Sequence, residues 1–218
     1  MSGNEGKKPH YISKDRLETI DDAIFAFAMT LLALGIQVPA ALTSQAAVEL
    51  PGYIHQLIPQ FILFVIAFLV LITFWIEHHR QFHYLRIVDP TILSLNVAIL
   101  IFTVLIPFST DVAGNYDRVE IAVVIFHANI LILGALFVAH WKYISRSTHL
   151  CDAEFDAASQ EKRFWILATI PAIAIFGIMV SFVSPPYSLL VYIMGLIIFV
   201  IRGRISRYQE QKKQLTIF

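Results

Sequence analysis

Six apolar stretches, each near the length needed to cross a bilayer, limit what this chain can fold into more than any other feature. They run over Ile20–Val38, Tyr53–Ile76, Thr91–Ser109, Ile121–Trp141, Phe164–Val183 and Tyr187–Ile201, the last being the shortest. A spanning helix takes about 20 mostly apolar residues, because each residue advances it by only about 1.5 Å. Lipid offers the backbone no hydrogen-bond partner, so such stretches are expected as helices that close their own bonds. They do not alternate with a period of two, which argues against an outer-membrane barrel. The expected fold class is an all-α integral membrane protein, one six-helix transmembrane domain over residues 1–218. Composition agrees: hydrophobic residues make up 57% and charged residues 15%, against roughly 25% charged in a soluble domain.

The placement of cations gives the expected orientation. Of 16 Lys and Arg residues, only Arg118 falls between spans on one side. The rest lie in the N-terminal tail (Lys7, Lys8, Lys14, Arg16), after span two (Arg80, Arg86), after span four (Lys142, Arg146, Lys162, Arg163) and in the C-terminal tail. The positive-inside rule then puts both termini in the cytoplasm. Residues 1–19 are polar, without the apolar core of a signal peptide, so span one is expected in the mature protein. The longest linker, Lys142–Arg163, has room for a small cytoplasmic helix. Cys151 is the single cysteine, which excludes a disulfide scaffold. A net charge of +0 leaves no basic face for nucleic acid.

Span one carries the most chemistry. Arg16, Glu18, Asp21 and Asp22 crowd its cytoplasmic end, where charge is costly unless paired or hydrated. Carboxylates there also suit the helix dipole, so N-terminal capping in the headgroup zone explains them equally well. Further along, Ile20, Ile24, Phe27, Leu31, Leu34 and Val38 repeat at spacings of three and four, a continuous apolar seam. Thr30 lies beside it, the one hydroxyl in mid-span. By periodicity alone the seam is ordinary helix packing or lipid contact, and Thr30 a residue bonding its own helix.

Span two ends Phe74-Trp75-Ile-Glu77-His78-His79-Arg80-Gln-Phe82-His83. His79 and His83 have the spacing of metal ligands on one helix face, but nothing completes a site and an interfacial aromatic belt is simpler. These histidines lie at the depth of the acidic end of span one and are candidate partners for it. Asn96 in span three, and His127 and Asn129 in span four, read as polar ties between helices. The chain has no Thr-Val-Gly-Tyr-Gly filter, no span with arginine at every third position, and no phosphate loop or nucleophile elbow. A re-entrant filter loop and an enzyme are both set aside.

Arg16-x-x-x-Ile20-Asp21-Asp22-Ala-Ile-Phe-Ala, followed by Thr30-Leu-Leu and Val38-Pro39, resembles the first span of prokaryotic potassium channels related to the lysosomal channel transmembrane protein 175. Phe74-Trp75-x-x-His78-His79-x-x-Phe82, then Leu95-Asn96 and Pro107-Phe108, resemble that family's second and third spans. The resemblance is good over roughly residues 14–110 and rests on hydropathy elsewhere. It implies a homotetramer with a pore lined by four copies of span one. By position, Phe27, Leu31 and Leu34 would form its apolar constriction and Thr30 its threonine linked to potassium preference. Arg16 and Asp22 match the polar members of the family motif Arg-x-x-x-Phe-Ser-Asp, whose network with neighbouring helices would involve Trp75, His78, His79 and Asn96. Ile20 and Asp21 depart from its Phe and Ser, so that network must be rebuilt, and Phe27 is bulkier than the usual Ile or Leu.

The reading is thus a plasma-membrane cation channel preferring potassium, with no cofactor beyond the permeant ion. Its expected partners are its own copies, the bilayer and potassium, and no nucleic acid. The alternatives are an ion-coupled secondary transporter, for which no internal repeat is visible, and an assembly protein without transport.

Overall fold

The computed structural model describes residues 13–36, 46–151 and 157–195. Its helices are α1 (Lys14–Leu34), α2 (Ala46–Gln56), α3 (Ile58–His83), α4 (Pro90–Asn115), α5 (Glu120–Arg146), α6 (Ala157–Ser181) and the short α7 (Pro185–Ser188). Among the described residues there is no strand, only an isolated bridge between Leu85 and Cys151. α1 packs against α3 and α4, α4 against α5, and α5 against α6.

The long helices alternate in direction. Leu17 at the start of α1, Phe82 at the end of α3, Ile92 at the start of α4 and Ile144 at the end of α5 share one apolar cluster with Leu150 and Cys151. Lys14, Arg16, Arg80, Arg86, Lys142, Arg146 and Arg163 therefore belong to one end of the bundle, and Arg118 to the other. α3, α4, α5 and the Arg163–Ser181 stretch of α6 are long and apolar enough to cross a membrane. Their outward positions keep large apolar side chains such as Phe61, Ile101, Trp165 and Phe176 exposed, as lipid contact requires.

Several expected boundaries are corrected. Span one is expected over Ile20–Val38, but the helix starts at Lys14, because Leu17 and Asp21 are buried against neighbouring helices, and ends at Leu34, where Gly35 caps it. Residues 37 and 38 lie outside the described residues. Span two, placed at Tyr53–Ile76, is two helices parted at Leu57, with Pro59 in the first turn of α3. α3 runs on to His83, since Glu77, His78, Gln81 and Phe82 pack inside the bundle. Span three continues through Pro107 to Asn115. In the linker after span four, a 3₁₀ turn at Thr148–Leu150 is described. Of the sixth stretch, α7 and a helical turn over 191–195 are described, while residues 196–201 lie outside.

Small residues set the closest approach of α5 and α6. A Cβ on Gly134 would stand 2.9 Å from Pro171 Cδ, and one on Gly177 2.5 Å from His127 Cε1. His127 cannot easily retreat, because its Nδ1 lies 2.8 Å from the Tyr192 hydroxyl and its Nε2 2.9 Å from Ser188 Oγ. Gly177→Ala should therefore cost about 1–3 kcal/mol through overpacking, read as a lowered melting temperature in detergent. An unchanged melt would mean that the imidazole swings aside.

Candidate functional site

α1 divides into two faces. Leu17, Asp21, Phe25, Ala28 and Leu32 are buried toward α3 and α4. Ile20, Ala23, Phe27, Thr30 and Leu34 stay exposed in the isolated subunit, Phe27 at 60% and Leu34 at 68%. At 100° per residue, Thr30 and Ala23 fall near the middle of this uncovered arc and Asp22 and Ala33 near its far edge. Leu31 is half-buried at the other edge, and Ile24 packs against the core. The uncovered stripe passes through Ala23 and Thr30, and Ile24 of the apolar repeat packs inward instead. Thr30 Oγ1 donates to Phe27 O at 2.8 Å, the local bond anticipated for a mid-helix threonine.

Behind this face, the carboxylates at the start of α1 part company. Asp21 is fully buried, and its Oδ1 accepts from Asn96 Nδ2 at 2.8 Å. Asn96 Oδ1 lies 2.8 Å from His78 Nε2. The amide nitrogen is already turned to the carboxylate, so the amide oxygen accepts and His78 carries its proton on Nε2. That nitrogen also lies 3.4 Å from Asp21 Oδ2. Three helices, α1, α3 and α4, are thus tied by one buried group of Asp21, Asn96 and His78. Asp22 points outward, and its Oδ1 accepts from Trp75 Nε1 at 2.8 Å. Of the network expected around Asp22, Trp75 takes the bond to it, while His78 turns to Asp21 and Asn96 and His79 stacks on the Trp75 ring. Arg16 is exposed on the first turn of α1. The bond from Asn96 to Asp21 rebuilds a polar link at the position where the motif carries serine.

No group of three His, Cys, Asp or Glu side chains suited to a metal ion occurs among the described residues. Sequence reasoning missed a second polar cluster. Glu77, 2% exposed, pairs with Arg80 and at 3.3 Å with Arg163 of α6. The Arg163 guanidinium lies over the rings of Tyr84 and Trp141, 5.5 and 5.3 Å from their centroids. Gln81 reaches His140 Nδ1 at 2.6 Å. The available signal was Glu77 itself: a carboxylate in an apolar helix demands a cation, and Arg163 is one of the cations expected at the same end of the bundle.

The family model described as endosomal/lysosomal potassium channel TMEM175 matches residues 16–107. A protein of Streptomyces collinus named as a potassium channel is 30% identical over 150 residues, 65% of this chain and 69% of that relative. Another so named, from Chamaesiphon minutus, is 26% identical over 206 residues, 89% of this chain and 97% of its own. Among solved structures, a lysosomal potassium-selective channel TMEM175 homolog from Chamaesiphon minutus superposes with a TM-score of 0.74 at 22% identity, covering 87% of this chain and 97% of that one. A helical multi-pass membrane protein of an ion-channel class, not an enzyme, is what the fold and these relatives define. The chain belongs to the TMEM175 family.

Proposed function

We propose that this protein is a potassium-preferring cation channel of the plasma membrane. Four copies assemble around α1, each with six membrane helices and both termini in the cytoplasm. The observation that carries the reading is the uncovered arc of α1. It belongs to the most charged of the long helices, with Arg16, Thr19 and Asp22 exposed beside Phe27 and Leu34, and such a face is poorly suited to lipid. Ala23, Ala26 and Ala33 on the same arc leave room for close helix approach. The naming of the relatives as potassium channels supports the ion, and the cation-rich end of the bundle supports the orientation.

In this assembly Phe27 and Leu34 point to the axis and Leu31 closes the sides, making apolar rings that withdraw water and oppose ions. Thr30 at the centre of the arc offers an oxygen between the rings. Planar-bilayer recording under biionic potassium and sodium tests the reading: a reversal potential displaced toward potassium, without a coupling ion, is expected. No current, or flux only with a second ion, would remove it. Thr30→Val keeps the side-chain shape and removes the hydroxyl. It is expected to leave current intact and to lower potassium preference by about threefold, since a ring of oxygens that replaces part of the hydration shell is lost.

A further inference from the structure

α6 packs along α5 and α7, so an assembly around α1 would leave it on the rim that faces lipid. Its membrane-crossing stretch begins at Arg163. Trp165, two residues further on, is exposed, in the interfacial position that such rings favour. On α3 the apolar stretch ends at Ile76 and Glu77 follows. Glu77 and Arg163 thus meet at the border between hydrocarbon and headgroups. Arg163 Nη1 donates to Glu77 Oε2 at 3.3 Å and its Nη2 to the Tyr84 hydroxyl at 3.5 Å. Arg80 Nη1 donates to Glu77 Oε1. The rings of Tyr84 and Trp141 hold the Arg163 guanidinium in place by cation–π contact.

The charges here do not balance. Two guanidiniums share one carboxylate, which leaves one positive charge at this border, where unpaired charge is costly. Glu161 lies about 200° round α6 from Arg163 and makes no ion pair among the described residues. Lys142, exposed and next to Trp141 on α5, adds positive charge. The side chains of Arg80 and Arg163 are 47% and 22% exposed, against 2% for Glu77, so the carboxylate is inside and the guanidiniums are at the surface. Each guanidinium has five N–H donors, and the bonds described above take one from Arg80 and two from Arg163. We infer that Arg80 and Arg163 bind the phosphate of an anionic phospholipid headgroup between the end of α3 and the start of α6. A planar guanidinium matches phosphate oxygens bidentately, and basic pockets between membrane helices recognise anionic headgroups. Glu77 fixes the two cations beside each other without neutralising both. The inference needs the helical membrane class and a lipid-facing α6, and does not depend on ion conduction.

The test is native mass spectrometry of the full chain in detergent, titrated with phosphatidylglycerol or phosphatidylcholine. Both lipids carry a phosphodiester, but choline cancels its charge. The parent is expected to retain one phosphatidylglycerol per subunit about fivefold more tightly than phosphatidylcholine, the effect of roughly one basic residue at a membrane surface. Arg80→Gln can still donate to Glu77 and leaves the pair with Arg163 in place. It should melt like the parent without lipid and lose most of that preference. Arg86→Gln removes one exposed cation from the same end and should keep the preference. Inorganic phosphate in excess should displace no lipid, because it brings no acyl chain to the apolar surface beside Trp165. Equal retention of both lipids by the parent would overturn the inference, and this comparison decides alone if Arg80→Gln fails to fold. An undiminished preference in Arg80→Gln would make its guanidinium only a partner of Glu77. An equal loss in Arg80→Gln and Arg86→Gln would assign the effect to diffuse charge, and displacement by inorganic phosphate would make this a site for free anions. Each of these three results also overturns the inference.

Discussion

Phe27→Ala is expected to raise basal potassium current several-fold at matched expression, through higher open probability, higher unitary conductance or both. Phe27 is 60% exposed in the subunit, so its removal takes little from the subunit's own packing. In the proposed assembly it is the bulkiest side chain of the uncovered arc and the first of the apolar rings met from the end where α1 begins. A wider ring admits water, and the desolvation barrier to an ion falls with it. Leu34→Ala should act in the same direction and Leu31→Ala less, since Leu31 is half-buried at the edge of the arc. If Phe27 only touches lipid or packs between subunits, Phe27→Ala changes expression or melting temperature and leaves single-channel behaviour equal to the parent's. That result would move the pore to another helix.

Loss of Asn96 is expected to be the most damaging single change behind the uncovered face of α1. Asn96→Leu removes the donor to Asp21 Oδ1 and the acceptor for His78, leaving a fully buried carboxylate with His78 3.4 Å from its other oxygen. Removing one partner of a buried charge typically costs about 3–5 kcal/mol, equivalent to roughly 10 °C in melting temperature for a chain of this size. The double variant Asp21→Ala/Asn96→Leu no longer buries a charge, and it is expected to melt above Asn96→Leu alone. Melting curves of both variants and of Asp21→Ala in one detergent check this through the sign of the coupling. Additive effects would show that Asp21 and Asn96 act independently, and that the short contact carries no energy.

How far the sequence reached is clearest at α1. Its charged start, its apolar repeat and Thr30 were all legible as linear spacing, and so was the partition of cations between the two ends of the bundle. Spacing says which residues share a face. It does not say which way that face turns, and only the packed structure shows Ile24 of the repeat turned to the core and Ala23 left uncovered. Helix boundaries differ from the apolar stretches in both directions: α1, α3, α4 and α5 extend past the stretch at one or both ends, while α1 and α6 stop short of it at Leu34 and Ser181. Hydropathy measures fitness for lipid, whereas Leu17, Asp21, Gln81 and Phe82 are held by other helices.

The pairing of polar groups was decided only in three dimensions. Asp21 and Asp22 are adjacent and chemically identical, and the sequence offered both the same histidines. Helix geometry separates them by 100°, which sends one to Asn96 and His78 in the core and the other to Trp75 at the surface. The union of Glu77 with Arg163, 86 positions apart, has no local signature at all. What the sequence by itself determined is the helical membrane class, because bilayer thickness acts on each stretch separately and needs no partner. Which side chains meet and which face of α1 stays uncovered depend on how the five long helices among the described residues pack at once. That is a property of tertiary structure, since each contact exists only when two remote segments are brought into register.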